Sequence, residues 1–488
     1  MQTDSRRAPH PAARCRRVVA AALVLTLSGC STTTPRPLAD PVSIPDQWSI
    51  PGIATAQQGT SLVEWWLRFN DPTLTKLLGD ALAHNTTLGG AVASLKSARA
   101  ERDIAAATLW PVLGASASVS DGTAAGIRTG RVVQAGLDAS WVPDVFGGNR
   151  SGLAAAAAAL EASGATLGDA QVSIAGEAAT TYILLRSAQA RLAIAAGNLA
   201  SQQETLQITT WRRQAGLVTE LEVAQAQALA DQTAAAIPVL QTSISRSSHA
   251  LAVLTGRSPA ALAGTLEVVA PVPKADDALV ASIPTETLRQ RADVRAAESQ
   301  VRSALARVSQ AKAARWPGFT LSGSIGASGA HVADLSHRAA SIASLLAGVT
   351  LPLLDGGARR AQVRLQEAAL EQARVTYVAI VLAALADVED TLAALAGDRQ
   401  RLVSLDHAAT AATDAATLAG QRFRSGLVDF QTVLDTQRVQ LGTQDGLAGA
   451  FADVSTDQVH LYTALGGGWR DRDVSALLTD DAARRATP

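Results

Sequence analysis

Two long stretches of the chain place apolar and small residues at helical spacing. Ile174, Ala178, Thr181, Leu185, Ala188, Leu192, Ala195 and Leu199 recur every three or four positions. Val381, Leu385, Val388, Leu392 and Leu395 do the same. Such residues share one helix face, and the small ones allow close, coiled-coil-like helix packing. No proline falls between Pro143 and Pro238, nor between Pro352 and Pro488. One helix from Asn149 to Gln214 would be about 100 Å long, since each residue rises about 1.5 Å. Gly216 and Gly426 stop the two long helices, as glycine does past a helix C-terminus. Shorter helices are expected over 85–109 and 286–315. Each ends at a Trp-Pro pair, Trp110-Pro111 and Trp316-Pro317, where proline breaks the pattern.

Four segments read as strands: 112–121, 132–142, 319–328 and 342–353. Val119, Ile325, Val349 and Leu351 sit there among Ser, Gly, Thr and Ala in weak alternation. Each is about 9 to 12 residues long, the length of a tilted outer-membrane strand. Gly122 to Gly130 and Gly329 to Arg338 read as the loops joining them in pairs. Two soluble hairpins are the alternative.

The plan is written twice. At an offset of 206, Trp110-Pro111 falls on Trp316-Pro317. At 209, Gly147-Gly148 meets Gly356-Gly357, and at 210 Gly216-Leu217-Val218 meets Gly426-Leu427-Val428. At 211, His249 meets His460 and Leu254 meets Leu465. Ordered landmarks with small drift mark an internal tandem duplication.

Composition narrows the class. Lys plus Arg number 42 and Asp plus Glu 43 among 488 residues, a net charge of −1. That balance excludes the basic footprint of a nucleic-acid binder. Hydrophobic residues are 48% but aromatics 3%, so the apolar content is mainly Ala, Leu and Val, which suits packed helices. No apolar run reaches the roughly 18 to 20 residues of a spanning helix. The seven histidines have no metal-ligand spacing, so no metal site is expected. Walker A, Gly-x-Ser-x-Gly, His-Glu-x-x-His and Cys-x-x-Cys motifs are all missing. No enzyme and no cofactor are expected.

The N-terminus reads as an address. Arg6, Arg7, Arg14, Arg16 and Arg17 precede a short apolar run, Val18 to Leu27, the pattern of a secretory signal. Leu27-Ser28-Gly29-Cys30 resembles the lipobox of bacterial lipoproteins. The resemblance implies cleavage before Cys30, then a diacylglycerol on its thiol and an acyl chain on its amine. An ordinary signal peptide is the alternative. By resemblance to sorted lipoproteins, Ser31 in place of Asp implies the outer membrane rather than retention at the inner one. Domains are therefore expected at 1–29 (signal), 30–60 (lipidated tether), 61–270 (first repeat), 271–468 (second repeat) and 469–488 (tail).

Four strands cannot close a transmembrane barrel, because open edges cannot face lipid and bacterial barrels begin at about eight strands. Strands in the membrane must be shared among chains, with the long helices lining a coaxial tube.

With these landmarks, the chain resembles the TolC family of outer-membrane factors, in the lipoprotein branch typified by OprM and NodT. The carriers are the lipobox, Trp65-Trp66-Leu67-Arg68-Phe69-Asn70-Asp71-Pro72, and the duplicated plan with its two Gly-Leu-Val turns. Val433 to Arg438 and Leu461 to Trp469 complete the set. The resemblance implies a membrane α+β fold: a homotrimer with a twelve-stranded outer-membrane β-barrel, four strands per chain. This barrel would continue into a periplasmic α-helical coiled-coil tunnel. It implies a passive exit duct for drugs and other toxic small molecules. An inner-membrane pump of the resistance-nodulation-division class would drive it through a periplasmic adaptor (a membrane fusion protein). Duct service in type I protein secretion, or a non-conducting lipid-tethered coiled-coil scaffold, are the alternatives.

Asp435 matches the family's gate carboxylate at the periplasmic end. Its alternative role is to favour a helix N-terminus through the dipole. Gate candidates beside it are Thr432, where some relatives carry a second Asp, and Gln431, where others carry Leu. Glu222 is the acidic neighbour in the first repeat, where Gln225 replaces Asp435. A Tyr and an Arg that latch the gate in some members are Phe423 and Val428 here. Gly216, Leu217, Val218, Thr219, Gly426, Leu427, Val428 and Asp429 are adaptor-contact candidates. Simple helix reversal with a hydrophobic plug is the alternative for them. Trp110, Trp141 and Trp316 flank strands and suit a membrane-interface belt. Trp65 and Trp66 suit packing in the equatorial region.

Overall fold

The helix lengths repeat to the residue. The computed structural model describes residues 44–49, 54–55, 62–124, 127–275, 280–281, 284–336 and 341–470. The signal, Cys30, most of the tether and 471–488 lie outside the described residues. Helix α1 spans Pro72–His84 and α2 spans Thr86–Ala107. Strands β1 (Val112–Ala124) and β2 (Ile127–Trp141) follow, then helices α3 (Gly148–Gln214) and α4 (Glu220–Leu254). The second repeat has α5 (Ala292–Ala313), β3 (Gly318–Gly329), β4 (Ser341–Thr350), α6 (Ala358–Arg424) and α7 (Phe430–Ala464). α3 and α6 are each 67 residues, and α4 and α7 each 35.

Local chemistry sets these boundaries. Asp71 caps α1 by accepting the Thr73 and Leu74 amides at 2.8 and 2.9 Å, with Pro72 at the first helical position. Asn85 caps α2 by accepting the Thr87 amide at 2.8 Å. The expected helix 286–315 is instead broken at Arg291, which caps α5 after a short helix, Pro284–Gln290. Asn85 and Arg291 are thus equivalent breaks.

Both long helices start after a glycine in the left-handed region, Gly147 (φ 77°) and Gly357 (φ 87°). Both end in Schellman turns. Gly216 donates to Arg213 O (2.9 Å) and Leu217 to Arg212 O (2.8 Å). Gly426 donates to Phe423 O (3.0 Å) and Leu427 to Arg422 O (2.9 Å). Gly256 and Gly466 close the shorter helices in the same way. The register is therefore 210 from Gly147/Gly357 through Gly256/Gly466. The 209 and 211 alignments are corrected, because helix ends fix the register where residue identities mislead.

The four strands form one antiparallel sheet in the order β1-β2-β3-β4. The first hairpin is longer than expected. Its ladder continues to Ala124↔Ile127 past an irregularity at Gly122/Thr123, so much of the expected loop 122–130 is strand. Backbone pairing there needs no apolar side chain. β4 stops at Thr350 rather than 353, two residues before Pro352, which has no amide to donate.

The core lies where the repeats meet near the chain's start and end. Trp65 is fully buried, stacked on Tyr462 at 5.5 Å and edge-on to Trp66 and Phe69. The Tyr182 hydroxyl donates to Asp71 Oδ2 at 2.8 Å. Trp48, which falls within the expected tether 30–60, is buried in a cluster with Val388, Leu392, Leu395 and Leu465. The adjacent Ser49 amide donates to Glu389 at 2.8 Å. Trp469 is buried as well: its indole N–H donates to Gln290 O at 3.0 Å, and a Cβ at Gly168 would overlap its ring.

A partly exposed cluster of carboxylates around Arg401 joins α6 to α7. Burial, and then the nearby carboxylates Asp398 and Asp453, push the Asp457 pKa up to about 6. Arg401 pairs with Asp398 at 3.3 Å and Asp453 at 2.8 Å. A raised carboxylate pKa means that the folded state holds a proton the unfolded chain releases. The associated stability is fully present below the ordinary carboxylate value of 3.8 and is lost progressively as pH rises from there through about 6. Asp457→Asn, fixed in the neutral form, should therefore raise Tm at about pH 8, raise it less at about pH 5 where only part of the loss has accrued, and leave it unchanged only below the ordinary carboxylate range. Thermal melts of the purified protein at the two pH values check this.

Candidate functional site: a two-faced sheet and paired helix tips

Residues paired across the ladders share a face of the sheet. Ala115, Leu137, Ile325 and Ala343 line up on one face, and Leu113, Ala139, Gly323 and Leu345 lie beside them. Val119 and Val349 belong to this face too. The opposite face is richer in polar residues, Ser116, Ser118, Gln134, Asp138, Ser324 and Ser344, with the exposed Val112, Ile342 and Leu346 among them. Neighbouring strands are joined there by Ser116 donating to Asp138 at 2.9 Å and by a Ser324–Ser344 hydroxyl pair at 2.8 Å. One face thus suits lipid and the other suits water. β1 and β4 each pair on one side only, which leaves two edges for other copies.

An aromatic collar sits where strands join helices. Trp110 and Trp316 are exposed. Phe146 stacks on Trp316 at 5.4 Å. The Trp141 indole N–H donates to Leu109 O at 3.0 Å. Exposed, amphipathic rings at the base of an apolar face suit the membrane–water interface.

At the far end, the tips present Leu217 and Leu427, 73% and 75% exposed, on top of the two Schellman turns. Val218 is half-buried, and Val428 packs on a cluster that includes Leu229, Phe423, Phe430 and Leu434. Thr219 and Glu222 form a capping box: the Thr219 amide donates to Glu222 at 2.9 Å, and its hydroxyl also donates there. In the second repeat Asp429 takes the cap, accepting the Thr432 amide at 3.0 Å and the Thr432 hydroxyl. The Thr219 and Thr432 hydroxyl bonds, then the backbone ones, hold both carboxylates below the usual range. The carboxylate of Glu222 and the hydroxyl of Thr432 are therefore occupied at helix starts. Asp435 is exposed on α7, accepting from Gln431 Nε2 at 3.0 Å, with Arg438 at 3.6 Å. Asp435 and Gln431 thus form one polar patch, while Thr432 and Asp429 form another.

Sequence reasoning missed Arg212. Its guanidinium lies 4.2 Å from the centre of the Phe423 ring. It donates to Phe423 O at 2.7 Å and Arg424 O at 3.1 Å. The only local signal was a basic residue in a helix's last turn. Among the described residues, no group of three His, Cys, Asp or Glu is placed to hold a metal.

The family model described as outer membrane efflux protein matches residues 77–257 and 283–467, one match per repeat. The chain belongs to the outer membrane efflux protein family. It is 31% identical to the pyoverdine export outer membrane protein OpmQ of Pseudomonas putida, over 92% of this chain and 96% of that one. It is 29% identical to nodulation protein T of Rhizobium leguminosarum bv. viciae, over 93% and 94% of the two chains. Among solved structures, the outer-membrane channel OprN superposes with a TM-score of 0.80 at 34% identity, covering 87% of this chain and 99% of that one.

Family membership explains the open edges of the sheet. Three copies complete a twelve-stranded barrel, and their long helices form the tunnel beneath it. This efflux-family member is an outer-membrane duct rather than an enzyme.

Proposed function

We propose that three copies form the exit duct of a tripartite efflux system that expels drugs and other toxic organic molecules. The single observation carrying this reading is the two-faced, two-edged sheet joined to paired helices that end in exposed leucine tips. Cargo of organic character fits the donor set. Met1 is the sole methionine, and the two cysteines are Cys15 and Cys30. Beyond residue 30 the wall therefore holds no thioether or thiol to relay a soft metal ion. The apolar tips are the surface an adaptor would cover, and a pump of the resistance-nodulation-division class would supply the energy. The test is dye and antibiotic efflux from cells carrying or lacking this gene, with and without a protonophore at constant ATP. Gene-dependent efflux that collapses with the proton gradient supports the reading. Efflux that persists on ATP alone overturns the pump assignment, and equal efflux in both strains overturns the duct for these cargoes.

Two residue roles belong to this reading. Asp435 would form a carboxylate ring under threefold symmetry, attracting cations and repelling itself when tightened. Asp435→Ala should raise leakage of large antibiotics several-fold, and normal leakage through assembled mutant trimers would count against the ring. Cys30 would carry the lipid anchor, with two acyl attachments because one chain anchors only marginally. Cys30→Ser should lose every acyl chain in intact-mass spectrometry; a lipidated mutant contradicts the anchor.

A further inference from the structure

We propose that Arg212 is a clasp that holds the two helix hairpins of each subunit together at their tips. This rests on the duct reading only for its effect on the pore. The long helices α3 and α6 end at equivalent depth, at Gln214 and Arg424. Each ends in a Schellman turn whose carbonyls keep a free lone pair, and carries a partial negative charge of about half an electron. The Arg212 guanidinium is placed against this charge, donating to the Phe423 and Arg424 carbonyls at the end of α6.

The same guanidinium lies 4.2 Å from the centre of the Phe423 ring. That ring is buried in an apolar cluster built from α4, α6 and α7, with Leu206 and Ile208 of α3 packed against it. Arg212 therefore covers the cluster and cancels dipole charge in one contact. A planar, five-donor group can lie on the ring and bond two carbonyls at once, which a compact ammonium does less completely. A second contact runs the other way: Arg424 of α6 pairs with Glu204 of α3 at 2.9 Å. The clasp is half-buried and polar at the water-facing end of the tunnel. It can be released without unpacking the cluster beneath it, so it sets how easily the tips part. Phe423 occupies the position where the resemblance places a tyrosine latch, and here the ring serves as the platform of the arginine.

Purified wild-type, Arg212→Ala, Arg212→Lys and Phe423→Leu trimers would be compared in two measurements. The first is hydrogen–deuterium exchange over 205–220 and 417–430, which does not depend on conduction. The second is open probability in planar bilayers. Arg212→Ala should speed exchange at both tips and raise open probability about tenfold, a typical coupling factor. Arg212→Lys and Phe423→Leu should give intermediate values. Unchanged exchange at both tips in assembled Arg212→Ala trimers overturns the clasp. If that variant does not assemble, wild-type exchange in both milder variants overturns it. Faster exchange without any current from wild-type trimers supports the clasp and instead contradicts the duct.

Discussion

Replacing Leu345 by Arg is expected to destabilise each subunit's insertion by about 2 to 4 kcal/mol and to remove most of the heat-stable assembled protein from the outer membrane. Leu345 is, among the described residues, the most exposed apolar side chain within the strands, at 79%. It pairs with Gly323 across the β3–β4 ladder, on the same face as Leu137 and Ile325. A face so apolar on an isolated chain has water as its neighbour only if the sheet stays out of the membrane. In the barrel its neighbour is hydrocarbon, where a guanidinium is poorly solvated. Ser344, one residue away, points to the opposite face and bonds with Ser324. Ser344→Arg should assemble normally, because that face borders water. Membrane fractionation with unheated gels compares the two. Equal loss, or equal tolerance, would mean that the two faces are not divided between lipid and lumen.

Trp65→Ala should cost about 3 to 5 kcal/mol, as deletion of a large buried ring does. The indole has no exposed surface, stacks on Tyr462, and touches Trp66 and Phe69 edge-on. It ties the segment before α1 to the end of α7, residues nearly four hundred positions apart, and so closes the second repeat onto the first. Its Nε1 has no hydrogen-bond partner. Trp65→Phe, which removes that unsatisfied donor while keeping a ring, should therefore cost less than the alanine change. Thermal unfolding of purified trimers ranks the variants. A Trp65→Phe loss as large as that of Trp65→Ala would mean that the indole's full shape, rather than ring burial, carries the stability.

What the sequence made legible follows from what is local. Heptad spacing along Ile174 to Leu199, the Gly216 and Gly426 stops and the Trp-Pro breaks are each set by neighbouring residues, and the elements formed there. The strands were found for the same reason, through short alternation. Their ends were misplaced because the Gly122 to Gly130 stretch pairs through its backbone, which leaves no mark in side-chain polarity. Trp48 looked like part of a tether because its partners, Val388 and Leu461, are far along the chain. The Arg212–Phe423 contact crosses from one repeat to the other, so no spacing in either repeat announces it. At the tips, Thr219-x-x-Glu222 carries a local capping pattern, whereas the surroundings of Asp435 depend on threefold symmetry.

Each chain supplies four strands to a barrel that closes only between copies. The most direct measurement is the protein mass of the membrane-extracted mature chain, by light scattering with the detergent contribution subtracted. Three chains per particle are expected. A stable monomer in several mild detergents, with both edge strands β1 and β4 unpaired, would contradict this.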